Sequence, residues 1–256
     1  TRGNPDLKQM FMHTMHVSFQ HPSKGISANL GWQMEKNSVT QVVLYDVQTG
    51  GRETYPININ GNWNTYGSAD WWKRFGHFSL KLSTSGRHSN RVSMINEDRS
   101  QQPEKSTTRD TGLNCEMEAS YQPTWGGFDF STSWDYQYSL NSLNDNNTYT
   151  RYYNFRFDGY VDFPFGLQLR TDATYNLRSG TNIQKGEDDE ILWNAGATWR
   201  FLKKKEAELS AYWADILGKR KSYARMATSD GFYESRTQEI KGYFIVTFKY
   251  NFRLMM

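Results

Sequence analysis

Residues 244–252 read FIVTFKYNF. Taken every second residue, one set is Phe244, Val246, Phe248, Tyr250 and Phe252; the other is Ile245, Thr247, Lys249 and Asn251. Successive side chains of a strand point to opposite faces, so this segment has one aromatic, apolar face and one mostly polar face. The same period of two recurs upstream at residues 11–20, 26–35, 55–64, 77–84, 113–121, 128–138, 153–163, 167–178, 191–201 and 207–213. With the terminal segment, the pattern predicts eleven strands.

Charge decides what the apolar face touches. No Asp, Glu, Lys or Arg falls on it in any segment, and His13 is the nearest exception. The opposite face carries Glu116, Glu118, Asp129, Asp135, Arg156, Asp158, Arg170 and Asp172. A membrane barrel turns its apolar side chains out to lipid and its polar ones in to water, over segments of about ten residues. Strands of globular proteins are nearer ~5–6 residues.

The connections carry an independent signal. Between the segments they alternate short and long: HPSKG, QPTWGG, PFG and LKKKE are short, while residues 35–54, 87–112 and 214–243 are long. Outer-membrane barrels combine short periplasmic turns with long extracellular loops. Beside the short turns, on the apolar face, sit Phe19, Phe78, Tyr121, Phe128, Phe163, Phe201 and Phe252, in the manner of an interfacial aromatic girdle. The expected fold is therefore all-β, an antiparallel up-and-down transmembrane barrel.

An odd count conflicts with the even strand number of bacterial barrels, so at least one strand is expected upstream of Thr1. Eleven is half of the ~22 strands of plugged outer-membrane transporters. The expectation is that residues 1–256 form the C-terminal portion of one larger barrel domain.

Composition removes other classes. The mean hydropathy is −0.81, and no run approaches the ~20 apolar residues of a membrane helix. The net charge is +3. The only basic runs are Lys203, Lys204, Lys205 and Lys219, Arg220, Lys221, too sparse for a nucleic-acid face. A single cysteine, Cys115, permits no internal disulfide and no Cys-rich zinc cluster. On the apolar face it reads as a small hydrophobe.

On these residues the chain resembles the C-terminal barrel region of TonB-dependent outer-membrane receptors, of the outer-membrane β-barrel type common in Bacteroidota. GNPDLK (residues 3–8) is similar to a loop signature of those barrels, with Gln9 and Met10 where a Pro-Glu pair is usual. RFLKKKEAELSAYWADILGK resembles their penultimate hairpin and GYFIVTFKYNF their closing strand. The resemblance implies integral outer-membrane location and uptake of a scarce nutrient such as a siderophore, glycan or peptide. It also implies coupling to TonB through a plug domain that this chain does not contain, and contact with outer-membrane lipid and a surface lipoprotein.

Among polar-face residues, Arg156, Asp158, Asp162, Arg170 and Asp172 are the lumen candidates. A tight PFG turn would set Asp158 opposite Asp172 and Arg170 diagonal to Asp158 and Asp162. This is either a plug-docking or substrate-guiding network or a solvated wall, where wet ion pairs contribute ~0–1 kcal/mol. Trp71, Trp72, Tyr149, Tyr152, Phe232 and Tyr233 are aromatic candidates for ligand contact or interfacial anchoring. Asn58, Asn60, Asn62 and Asn64 form a polar stripe suited to a lumen wall. His13 and His16 fall on opposite faces, with His21 and His88 elsewhere, so no metal site is expected. Glu187, Asp188, Asp189 and Glu190 lack EF-hand spacing. No nucleophile–base constellation or phosphate loop supports an enzyme, and no cofactor is expected. The alternatives are a structural or adhesive outer-membrane barrel in a surface complex, and a soluble carbohydrate-binding β-sandwich.

Overall fold

The computed structural model describes residues 3–45, 51–96, 103–143, 147–181, 183, 189–202, 205–220, 223–228, 231–236 and 240–252. They form β1 (Phe11–His21), β2 (Ile26–Lys36), β3 (Ser38–Tyr45), β4 (Arg52–Ile59), β5 (Trp63–Phe75), β6 (Phe78–Ile95), β7 (Glu104–Tyr121) and β8 (Gly126–Asn141). Then follow β9 (Thr148–Asp162), β10 (Leu167–Gly180), β11 (Asp189–Phe201), β12 (Ala207–Ala214), β13 (Tyr223–Thr228), β14 (Gly231–Arg236) and β15 (Tyr243–Tyr250). Eleven strands make one antiparallel sheet in the order β1-β2-β5-β6-β7-β8-β9-β10-β11-β12-β15. β3-β4 and β13-β14 are separate two-stranded hairpins. β1 and β15 end the order, each with one neighbour among the described strands.

Period two holds along most strands of the large sheet, with Lys73 a charge on the apolar parity of β5, and one assignment differs. Of the alternation at residues 55–64, residues 55–59 belong to β4, which pairs with β3 from Ser38↔Ile59 to Tyr45↔Arg52, and only Trp63 and Asn64 open β5. The wall strand is β5, covering residues 66–75 that read as a connection. The two stretches are adjacent and both alternate, and β5 is diluted by Thr65, Gly67 and Ala69, so apolar periodicity favoured the wrong one. The long connections also shrink. β6 and β7 are 18 residues each, about 60 Å long. Their outer halves stay hydrogen-bonded as strand after the apolar alternation ends near Thr84, because backbone pairing does not need an apolar face.

The chain divides into two compact units. The first comprises Thr1–Asp70, Thr84–Asn114 and Tyr136–Thr150. Its buried hydrophobes are Val42, Ile59 and Val92, the first only 1 % exposed. Asn96 donates to the Val43 carbonyl at 2.9 Å, tying the β3-β4 hairpin to the end of β6. On the other side Asn4 donates to the Pro56 carbonyl at 2.9 Å, and Asn58 bonds both the Lys8 amide and the Lys8 carbonyl. The hairpin is thus clamped on two sides.

The second unit comprises Trp71–Ser83, Cys115–Asp135 and Arg151–Met256. Its registers include Leu167↔Trp199, Ala195↔Trp213 and Ala207↔Tyr250. Ala207 and Ala214 are its buried hydrophobes among the described residues. β12 is followed by Asp215, which is 1 % exposed and has a left-handed φ of 45°. Its carboxylate accepts from the backbone amides of Lys219 and Arg220 at 3.0 and 3.1 Å. With the Gly218 amide donating to the Asp215 carbonyl at 2.9 Å, these bonds close a tight turn.

The two faces differ in kind. Leu30, Leu82, Phe130, Phe155, Leu169, Trp193, Leu209, Trp213, Phe244 and Phe248 all lie on the apolar parity and all are exposed, Phe248 by 63 %. A sandwich would bury such a face against a second sheet, yet nothing among the described residues covers it. On the polar parity, tyrosine rings lie over glycines of neighbouring strands. A Cβ on Gly31 would run into the Tyr66 ring, one on Gly127 into Tyr160, and one on Gly196 would meet Tyr212 at 3.3 Å. Gly196 and Tyr212 are direct cross-strand partners. Three tyrosine rings on the polar parity thereby pack against the bare backbone of a neighbouring strand.

Candidate functional site

The short turns carry most of the predicted girdle. Tyr121 stacks on Phe128 with ring centroids 6.4 Å apart, and Trp125 meets Phe128 edge-on at 5.7 Å. Phe75 and Phe78 flank one turn, Phe163 and Phe165 another, and Trp199 packs on Phe201 at 4.9 Å. Phe252 meets Tyr250 at 4.6 Å and is 85 % exposed. Phe19 ends β1 with its ring exposed. The partners Phe75, Trp125, Phe165, Trp199 and Tyr250 were not foreseen, though the first four lie in or within three residues of a short connection and Tyr250 pairs with Ala207 beside one.

The predicted lumen charges share one face of β9 and β10. The Phe163 amide donates to the Leu167 carbonyl at 2.8 Å, closing the turn tightly. Gln168 donates to Asp162 and Asn154 to Asn176 in the same register, which sets Asp158 level with Asp172 as expected. The pairing differs from the diagonal scheme. Arg156 makes a two-point contact with Asp158 on its own strand, at 2.6 and 3.2 Å. Asp172 accepts from Asn194 at 2.6 Å, and Arg170 has no ion pair among the described residues. The fork is on a half-exposed arginine, so its strength is that of a wet pair.

Neutral amides cross more strands than the charges do. Tyr152 and Asn154 both donate to Asn176, and Asn176 donates to Glu190, joining β9, β10 and β11. Asn194 links Asp172 to the backbone amide of Asp215, joining β10, β11 and the end of β12. Sequence showed these positions as polar, but not as ladders, because register decides which meet.

The Asn stripe is divided between two roles. Asn58 and Asn60 fasten the base of the β3-β4 hairpin: Asn58 donates to Asn37 and Asn60 accepts from it. Asn62 accepts from the Val92 amide at 2.7 Å and donates to Glu35. Asn64 faces a concavity of about 510 Å³ lined also by Gln33, Glu35, Asn62, Trp63, Arg87, Ser89, Asn90, Arg91 and Asp110. The Oδ1 of Asn64 is buried and has no hydrogen-bond partner among the described residues.

At the outer rim of that concavity Arg91 pairs with Asp110 at 2.7 Å, and Ser139 donates to the same carboxylate at 2.7 Å. Burial pushes the Asp110 carboxyl up, but the hydrogen bonds from Arg91 and Ser139 and the charges of Arg91 and Arg87 outweigh it and hold it below its ordinary value.

The remaining candidates scatter. His13 and His16 pair with Met34 and Gly31 on opposite faces of β1. His21 contacts Ser23, and His88 contacts Thr111. No group of three or more His, Cys, Asp or Glu is placed to hold a metal among the described residues. Glu187, Asp188, Lys203, Lys204 and Lys221 lie outside the described residues, as do the side chains of Phe232 and Tyr233. Trp71 and Trp72 lie near the short-turn end of β5, and Trp72 is 52 % exposed. Tyr149 is exposed on β9, while Tyr152 is part of the amide ladder. No protein-family model and no curated protein matches this chain.

Proposed function

We propose that the chain is the wall of an outer-membrane receptor for uptake of a scarce polar nutrient, a siderophore, glycan or peptide, coupled to TonB through a plug domain outside it. The observation that carries the reading is the exposed apolar parity of the wall strands. An uncovered face of that extent calls for an apolar partner, and lipid is one that also accounts for aromatic clusters at the short turns. The ten or so residues nearest the short turns span the bilayer, and the outer halves of β6 and β7 stand clear of it.

Lipid leaves no backbone group unsatisfied at low cost, so the edges β1 and β15 require partner strands. In an antiparallel order of eleven both edge strands run the same way. An odd number of additional strands then closes the wall, and eleven more would give the ~22 of plugged transporters. Outer-membrane lipid and a surface lipoprotein are the expected contacts of the wall and the outer ends. A structural or adhesive barrel shares every one of these features except energy coupling.

The test places single cysteines at Phe248 and Lys249, neighbours on β15, in a Cys115→Ser background. In outer membranes a lipid-borne nitroxide quenches a probe at 248, and an aqueous quencher reaches 249. Equal quenching by the aqueous agent at both sites, or recovery of the protein in the soluble fraction, overturns the membrane reading. Nutrient uptake unchanged on loss of TonB, with the quenching pattern kept, selects the scaffold.

A further inference from the structure

We infer that the concavity on the polar parity of β2, β5, β6 and β7 is a subsite for a neutral, polyhydroxylated ligand, a sugar unit; this rests on the reading of that face as wet. Four observations combine. The site has the volume of a small ligand, about 510 Å³, within the ~300–1,000 Å³ of functional pockets. Its charges cancel, Arg87 and Arg91 against Glu35 and Asp110, so it favours neither an anion nor a cation.

The middle of the site is neutral. Asn29–Ser68, Ser27–Asp70 and Asn62–Glu35 bonds fix one register between β2 and β5, and that register sets Gln33 level with Asn64. With Ser89 on β6 these supply amide and hydroxyl groups that both donate and accept, the match for hydroxyls that do the same. Finally, the buried Asn64 Oδ1 lacks a donor, and Arg87 has no hydrogen bond among the described residues. A rotation of the Asn64 amide toward the concavity presents that acceptor to a ligand hydroxyl, and the free energy the unsatisfied group costs favours the rotation.

The lining also separates the three nutrient classes. Among the described residues Trp63 is its one aromatic lining residue, and that indole packs with His88, 5.2 Å away. There is no aliphatic wall for the side chains of an apolar peptide and no ring pair for an aromatic siderophore. Sugar hydroxyls need neither.

The experiment is saturation-transfer NMR on the protein purified from outer membranes in detergent micelles, with neutral mono- and disaccharides as probes and citrate and trilysine as charged controls. The expected result is saturable transfer to at least one sugar. It weakens about tenfold in Asn64→Ala, the order of one hydrogen bond to a buried group, and is unchanged in Lys249→Ala. Ser89→Val, a strand-forming residue that fills the space, gives the same loss if Asn64→Ala folds poorly. No sugar signal, a signal indifferent to both substitutions, or tighter binding of citrate or trilysine overturns the inference. Sugar binding by a protein found in the soluble fraction would sink the membrane reading alone; quenching as expected without sugar binding would sink this one alone.

Discussion

The β3-β4 hairpin and the terminal strand β15 are built from the same kind of alternation, and they end in opposite surroundings. In the hairpin Val42 is 1 % and Ile59 8 % exposed. On β15 Phe244, Val246 and Phe248 are each about three-fifths exposed (62, 59 and 63 %). The hairpin is stabilised by side chains of its own unit and by the Asn4, Asn58 and Asn96 bonds. The terminal strand has its backbone ladder to β12, and its apolar side is exposed among the described residues. Burial within the protein explains the first. The second is not covered by any described residue, and under the proposed function lipid takes that place.

Charge insertion would break this comparison most forcefully. Val246→Arg is expected to destabilise the protein in phospholipid vesicles by about 2–4 kcal/mol, the mid-bilayer cost of an arginine on a barrel surface. Thr247→Arg, one residue on, is expected to cost little. Urea titrations that give both the same small value would place β15 in water.

In the hairpin the lever is packing. Val42→Ala removes two buried methyl carbons and should cost about 2 kcal/mol, transfer and cavity terms together. Amide exchange should rise locally at β3 and β4 while β10 and β11 stay protected. Unchanged exchange throughout would mean that the buried cluster does not hold the hairpin.

The tyrosine-covered glycines sharpen the contrast between faces. Gly31→Ala pushes the Tyr66 ring off the backbone and should cost about 1–3 kcal/mol by overpacking. Tyr66→Ala in the same chain should remove most of that penalty, which a double-mutant cycle reads directly.

Acid gives the smallest effect. The Asp110 carboxyl is held below its ordinary value in the fold, so its contribution is complete above the unfolded-state value and is lost as pH falls through the folded one. Stability of the first unit should therefore fall on acidification below the usual carboxylate range, and less so in Arg91→Ala. A pH profile identical in the two proteins would detach Asp110 from the stability of the outer strands.

Much of the wall was legible because period two needs only a two-sided environment, and residues 167–178 or 244–252 announce theirs plainly. The eleven-strand count, the alternation of short and long connections and the positions of Phe163 or Phe201 beside short turns all follow from that. The exchange of β4 for β5 was not legible. Tyr55, Ile57 and Ile59 alternate as well as any wall strand, and only register decides which sheet receives them. The outer half of β6 was hidden for another reason: with both faces polar, SGRHSNRVS has no period to read. The concavity was half visible, as Asn62 and Asn64, but its other walls come from strands up to 77 positions apart in sequence. The Asp215 clasp depends on a positive φ that an aspartate permits but does not announce.

The sheet order has a kinetic consequence. From β5 to β12 every strand pairs with the next one along the chain. Such a sheet can grow hairpin by hairpin, with low contact order for an all-β protein. The exceptions are the joins β2-β5 and β12-β15, and each detour contains a hairpin that closes on itself. A preformed hairpin shortens the free loop that the join must close, and so lowers its entropic barrier. The two hairpins that interrupt the wall in sequence would then serve its assembly, drawing β2 to β5 and β12 to β15 before the intervening chain has to be searched.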